Sequence, residues 1–149
     1  MRVGIDARMY RLSGVGTYLE NLLKGLAELD GETEYICFVR EEEVGSFSPP
    51  GPNFRAIPCR PSIYSLKEQW SLPLLASRHG LDLIHYPHYA SPLFNPCPTV
   101  ITVHDLIHLL FPQYLPGLFA YAYARSMFLG ACHRARLIIA VSENTRQDL

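Results

Sequence analysis

The chain has 149 residues, 48% hydrophobic and 18% charged, a length and mixture that suit one folded domain and exclude a solvated, disordered tail. Thirteen Lys and Arg against fourteen Asp and Glu leave a formal net charge of −1; that excludes a broad positive field, so no nucleic-acid partner is expected. Cys37, Cys59, Cys97 and Cys132 stand far apart without a C-x-x-C pair, which points away from a zinc knuckle or disulfide framework and toward reduced thiols in the cytoplasm.

The opening Met1-Arg2-Val3-Gly4-Ile5-Asp6 meets charge too early for a signal peptide, and Arg2 to Ala7 reads as a first strand. After Ser13-Gly14-Val15-Gly16-Thr17, apolar residues at Val15, Tyr18, Leu19, Leu22, Leu23, Leu26 and Leu29 have the three-and-four spacing of one helical face. Asp30-Gly31 is expected to end this helix, with the glycine in the left-handed conformation. Tyr35 to Val39 is a second strand; Glu41 to Pro52 is a loop by its charge and its Pro-Pro-Gly-Pro cluster, and Phe54 to Ile57 is a short third strand.

Ser65 to His79 reads as helical around Leu66, Gln69, Trp70 and Leu74, kinked or restarted at Pro73. Leu81 to His85 and Thr99 to Val103 are β-rich and are expected to be neighbouring central strands, separated by a loop holding Pro87, Pro92, Pro96 and Pro98. A long helix covers Tyr114 to Ala135, Leu137 to Val141 is another strand, and Ser142 is placed to cap a further helix. Pro112, Gln113, Pro116 and Arg125 interrupt the apolar stretch from Leu109 to Leu129, which argues against a membrane span. Its aromatic set Tyr114, Phe119, Tyr121, Tyr123 and Phe128 is expected to pack on the sheet, with an exposed part able to meet a lipid acceptor or a membrane face. The chain ends at Leu149, barely two turns into the last helix, which reads as a boundary between domains.

Short apolar runs alternating with helical patterns mark βαβ units. The expected fold class is therefore α/β, a Rossmann-like three-layer α/β/α domain with a mostly parallel sheet. Such sheets bind ligands at the carboxyl ends of their strands, and four groups of residues fall there. Gly14, Val15, Gly16 and Thr17 open the first helix, where backbone N–H groups and the helix dipole suit a phosphate. The third glycine of a dinucleotide fingerprint is missing, because Leu19 occupies its place. His104-Asp105 follows the strand Thr99 to Val103; the imidazole can bond a sugar hydroxyl, and the neighbouring carboxylate can fix its tautomer. His85, His88, His104 and His108 have spacings that could bring pairs together, but a zinc site also needs fixed outer partners; no metal is expected, and His85 and His88 are expected to line the cleft or to bond backbone groups. Ser142 starts a helix that faces the same edge. The chain has no G-x-S-x-G elbow and no cysteine in an activating context, so a hydrolase is not suggested.

Taken in order, Gly14-Val15-Gly16-Thr17-Tyr18, Glu68-Gln69-Trp70-Ser71-Leu72-Pro73, Asp82-Leu83-Ile84-His85, Val100-Ile101-Thr102-Val103-His104-Asp105-Leu106 and Ile139-Ala140-Val141-Ser142-Glu143-Asn144-Thr145-Arg146 resemble the amino-terminal domain of the family 4 retaining glycosyltransferases of GT-B fold. The resemblance spans essentially the whole chain. It implies that residues 1–149 are the acceptor-side Rossmann-like domain of a two-domain enzyme whose carboxyl-terminal, donor-binding domain lies outside this sequence, so that the piece alone is inactive. By that likeness Gly14 and Gly16, with Val15 and Thr17, approach the donor diphosphate, and His104 contacts the transferred sugar with Asp105 in support. The acceptor cleft would then draw on Arg8, His85, Tyr86, His88 and Ser142. The implied partners are a nucleotide-diphosphate sugar as co-substrate, a saccharide or lipid-linked acceptor, and the absent second domain. No cofactor and no essential metal are implied, and no Asp-x-Asp motif is present. The expected place is the cytoplasm, with peripheral contact at the inner membrane face. Two rival readings are a stand-alone Rossmann-like module for a small phosphorylated ligand and a nicotinamide-dependent oxidoreductase domain, the latter resting on architecture alone.

Overall fold

Alternation along each strand sends successive side chains to opposite faces of a sheet, and here both faces are covered. The computed structural model describes residues 1–149. Its strands are β1 (Arg2–Asp6), β2 (Glu34–Arg40), β3 (Phe54–Cys59), β4 (Leu83–Tyr86), β5 (Thr99–Val103) and β6 (Leu137–Ala140). Every pairing is parallel, in the order β3-β2-β1-β4-β5-β6. The helices are α1 (Ser13–Leu29), α2 (Glu68–Arg78), the single-turn α3 (Ile107–Leu110), α4 (Leu118–Arg134) and α5 (Glu143–Asp148). The architecture is that of a Rossmann-like three-layer domain, and β4 and β5 are neighbours as their sequences imply.

The chain builds outward from β1 through β2 to β3, then returns through α2 to start β4 on the other side of β1. That reversal opens a crevice at the carboxyl ends of β1 and β4, the usual ligand position in open α/β sheets. Val3, Ile5, Tyr35, Cys37 and Val39 pack with Leu19 and Leu23 of α1 on one face. Ile36, Phe38, Ile84, Ile101 and Val103 pack with Leu72 and Ala76 of α2 and Phe128 and Ala131 of α4 on the other. Burying each large apolar side chain contributes about 1.5–3 kcal/mol before chain entropy is counted.

Three local expectations are corrected. α1 ends without a left-handed Gly31: only Gly80 and Gly117 among the glycines have positive φ. Asp30 does the work instead, its Oδ1 accepting from the N–H groups of Glu32 and Thr33 at 2.9 and 3.0 Å, a local carboxylate turn that replaces the glycine geometry. The long helix begins at Leu118, after Pro116 and a Gly117 with φ 107°, a conformation that favours glycine; α3 and a short 3₁₀ turn at Pro112–Tyr114 precede it. Finally, α2 runs through Pro73 as one helix and buries Glu68, Leu72 and Ala76. Leu66, Trp70 and Leu74, the side that looks apolar in sequence, are exposed, Trp70 by 74%.

Candidate functional site

The phase of α2 is explained by what Glu68 meets. Arg8, two residues past β1, folds back so that its Nε and Nη2 donate to both oxygens of Asp6 at 2.8 and 2.7 Å. Nη2 also donates to Glu68 Oε2 at 3.0 Å, and Nη1 to the Pro61 carbonyl at 3.0 Å. The three charged side chains are wholly buried, and His88 Nε2 lies 3.2 Å from Asp6 Oδ2. Burial alone would raise the Asp6 pKa; the guanidinium of Arg8, with help from His88, holds it well below the usual carboxylate range. At Glu68, burial wins over the pull of Arg8 and the pKa rises. Glu68 Oε1 and His88 Nδ1 are buried without a protein partner. Arg8 is therefore a buried structural cation at the topological switch point, with four of its five N–H donors committed to Asp6, Glu68 and Pro61, while it still borders a cavity with Met9, Arg60 and Tyr64.

Adjacent positions on β4 go to opposite faces, which separates two residues that sequence grouped together. His85 faces α1: its Nε2 is 2.8 Å from Thr102 Oγ1, which in turn lies 3.0 Å from the Tyr18 hydroxyl. Burial, with the neighbouring His88 and His104, lowers its pKa to about 4, so His85 is neutral near pH 7. Tyr86 faces the α2 and α4 layer, fully buried, and its hydroxyl donates to Asn95 Oδ1 at 2.7 Å. Tyr86 is core, not cleft wall.

At the end of β5 the arrangement opens. His104 Nε2 is 2.9 Å from the Pro87 carbonyl oxygen. A carbonyl can only accept, so Nε2 carries the hydrogen, and the neutral ring keeps its lone pair on Nδ1. The backbone of the β4 loop thus sets the tautomer, a role the sequence suggested for Asp105. Asp105 is exposed, and its Oδ1 instead accepts from the Ile107 N–H at the start of α3, at 3.1 Å. The Tyr18 and His104 rings meet nearly at right angles, with centroids 5.0 Å apart. Ser142 caps α5 as expected, its Oγ accepting from the Thr145 N–H at 3.1 Å. Thr145 Oγ1 donates to the His104 carbonyl at 3.1 Å, so the cap also anchors the turn after β5.

The two glycines of the first loop differ in kind. A Cβ on Gly16 would collide with the Tyr10 carbonyl oxygen, so this glycine permits a close backbone crossing. Gly14 is exposed and meets nothing. α1 has no side-chain cap and no acidic residue in its first turn, which leaves its leading N–H groups and positive dipole end unopposed. Thr17 is exposed, with its hydroxyl 3.4 Å from the Ser13 carbonyl. Val15 joins His88, His104, Asp105 and His108 around a cavity of about 120 Å³. The mouth of α1 and the His104-Asp105 pair therefore share one rim. His85, whose ring is turned to Thr102, is not part of that wall, and the histidines do not gather as a metal-ligand group.

Sequence reasoning missed Glu68 as the partner of Arg8, the Pro87 carbonyl as the partner of His104, and Tyr64. Tyr64 has φ 64°, a conformation that strains a bulky residue by about 1–3 kcal/mol, and it borders three cavities at once. A glutamate four and eight residues before Leu72 and Ala76, hence on their helical face, was the one available signal for the first; backbone acceptors and backbone angles carry none. Residues 12–149 match the family model described as Glycosyltransferase Family 4, and no curated protein sequence matches the chain.

Proposed function

The chain belongs to glycosyltransferase family 4, and from that membership we propose that it is the acceptor-side half of an enzyme moving a sugar, with retention, from a nucleotide-diphosphate sugar to a saccharide or lipid-linked acceptor. The observation that carries the reading is the shared rim. Val15, at the uncapped mouth of α1, and His104, with its free Nδ1, border one polar cavity.

In this reading the first-turn N–H groups of α1 face the diphosphate, where charge develops as the glycosidic bond breaks. Preorganised donors at such a position are among the largest sources of catalysis. In the neutral ring the Pro87 carbonyl holds the hydrogen on His104 Nε2, so that Nδ1 accepts a hydrogen bond from a hydroxyl of the transferred sugar. The leaving diphosphate takes the proton of the attacking acceptor hydroxyl on the same face, so no protein nucleophile is required. A second domain supplies the nucleotide contacts, and no divalent ion has a role. In this reading the protein works in the cytoplasm, with peripheral contact at the inner membrane face. No helix is long and apolar enough to cross a membrane.

A donor screen on the full-length protein tests this. Incubation with each common nucleotide-diphosphate sugar and a panel of glycoside acceptors, followed by mass spectrometry, is expected to yield one donor that adds a single sugar mass while releasing nucleoside diphosphate. Tight calorimetric binding of NAD, with no sugar transfer from any donor, would reverse the assignment in favour of an oxidoreductase domain.

A further inference from the structure

Beside the polar cavity lies a second one of different chemistry. Tyr64, Tyr89, Leu115, Ala120, Tyr123 and Met127 line a space of about 200 Å³. It shares Tyr64, Tyr89 and His108 with the cavity that holds His104 and Asp105. We infer that the acceptor is amphiphilic: its polar head lies beside His104, and a hydrocarbon chain attached to that head lies in the cavity between Tyr64 and α4. The position of the head rests on the proposed glycosyl transfer; the apolar occupant rests on the cavity itself.

A sugar ring fits this second space poorly. Its hydroxyls would lose water and find mostly methyl groups and aromatic faces, and an unpaired buried hydroxyl is costly. A protein partner fits no better, since specific interfaces cover about 800 Å² on each side and this is one small pocket. A flexible chain fills such a pocket one methylene at a time. α4 makes room for it with alanines at Ala120 and Ala124, one turn apart. The helix is open to solvent just before them: Leu118 and Phe119 are 80% and 94% exposed, so apolar surface flanks the pocket where the chain would leave it. Tyr64, held at positive φ, forms a wall common to both cavities, which sets where head gives way to tail.

The full-length protein, labelled at the methionine and alanine methyls, is titrated with methyl, butyl, hexyl and octyl β-D-glucoside below their micelle concentrations. Octyl glucoside is expected to shift the Met127, Ala120 and Ala124 methyl signals saturably, methyl glucoside to leave them unmoved, and affinity to rise roughly fourfold per added methylene until the pocket is full. Ala124→Trp removes the chain-length dependence; should that variant fail to fold, the wild-type series decides alone. Equal affinity across the series, or shifts spread over methyls outside the pocket, overturns the inference. The same series used as acceptors separates the two claims. Chain-dependent binding without transfer from any donor upholds the cavity assignment and removes the transfer reading. Transfer with equal KM for methyl and octyl glucoside does the reverse.

Discussion

Two neighbouring stretches of the same sheet edge make opposite use of similar residues. At the ends of β1 and β4, Asp6, Arg8, Glu68 and His88 bond to one another in the interior, with only Glu68 Oε1 and His88 Nδ1 of the cluster left without a partner. At the end of β5, His104 is half-buried and Asp105 exposed, and the single partner of the imidazole is a carbonyl that leaves Nδ1 free. Lying at the carboxyl edge of a parallel sheet makes a charged residue a candidate for ligand contact; whether its bonding capacity is already used decides if it serves the fold or a substrate.

The largest effect expected from this contrast is on stability. Arg8→Met leaves Asp6 and Glu68 facing each other without their cation, and breaking a buried ionic cluster in this way costs about 3–5 kcal/mol. Urea unfolding of the variant measures it, and a loss under about 1 kcal/mol would mean that the cluster is solvated and free to bind ligand.

Acid is the next probe. Folded His85 titrates near 4 against 6.5 for an unperturbed imidazole, so between those values the unfolded chain binds more protons than the native one. Stability from this residue is present above pH 6.5 and is lost as pH falls toward 4, on the order of 3 kcal/mol in all. Asp6, with its folded pKa depressed, acts in the same direction at lower pH, from about 3.9 downward. Chemical unfolding at a series of pH values should show the first slope in the wild type and a flatter one in His85→Gln; identical slopes would place His85 in water.

On the open side the expected effect is on rate. In the full-length protein His104→Ala should lower turnover about a hundredfold or more, roughly 2.7 kcal/mol of transition-state stabilisation, with stability little changed. Asp105→Asn, which keeps an acceptor for the Ile107 N–H, should cost less than about tenfold. Steady-state transfer kinetics compare the two, and near-wild-type turnover in His104→Ala would put the open site in the same structural class as the closed one.

Much of the fold was legible because periodicity is local. The three-and-four spacing from Val15 to Leu29 and the β-rich runs at Thr99 to Val103 and Leu137 to Val141 state their elements within a single segment, and their alternation implies the parallel sheet. Ser142 as a helix cap was readable for the same reason. Helix phase was less so: in α2 the apolar Trp70 and Leu74 stay outside, because Glu68 is drawn inward by a cation sixty residues away in sequence.

The candidate site was half legible. That His104-Asp105 and the Gly14 to Thr17 loop fall at strand-to-helix turns follows from element order, and element order places them at one edge. Which atom of His104 is free, why Gly16 must be glycine, that Tyr86 belongs to the core and that Arg8 is held in an ionic cluster depend on contacts with Pro87, Tyr10, Asn95, Asp6 and Glu68. By itself, the order of residues determined the strands, the helices and their right to form a doubly wound sheet, since those follow from propensity and hydrophobic spacing. The division of the edge between a closed ionic cluster and an open imidazole was decided only in three dimensions, where burial sets the cost of an unpaired charge and distant backbone supplies the partners.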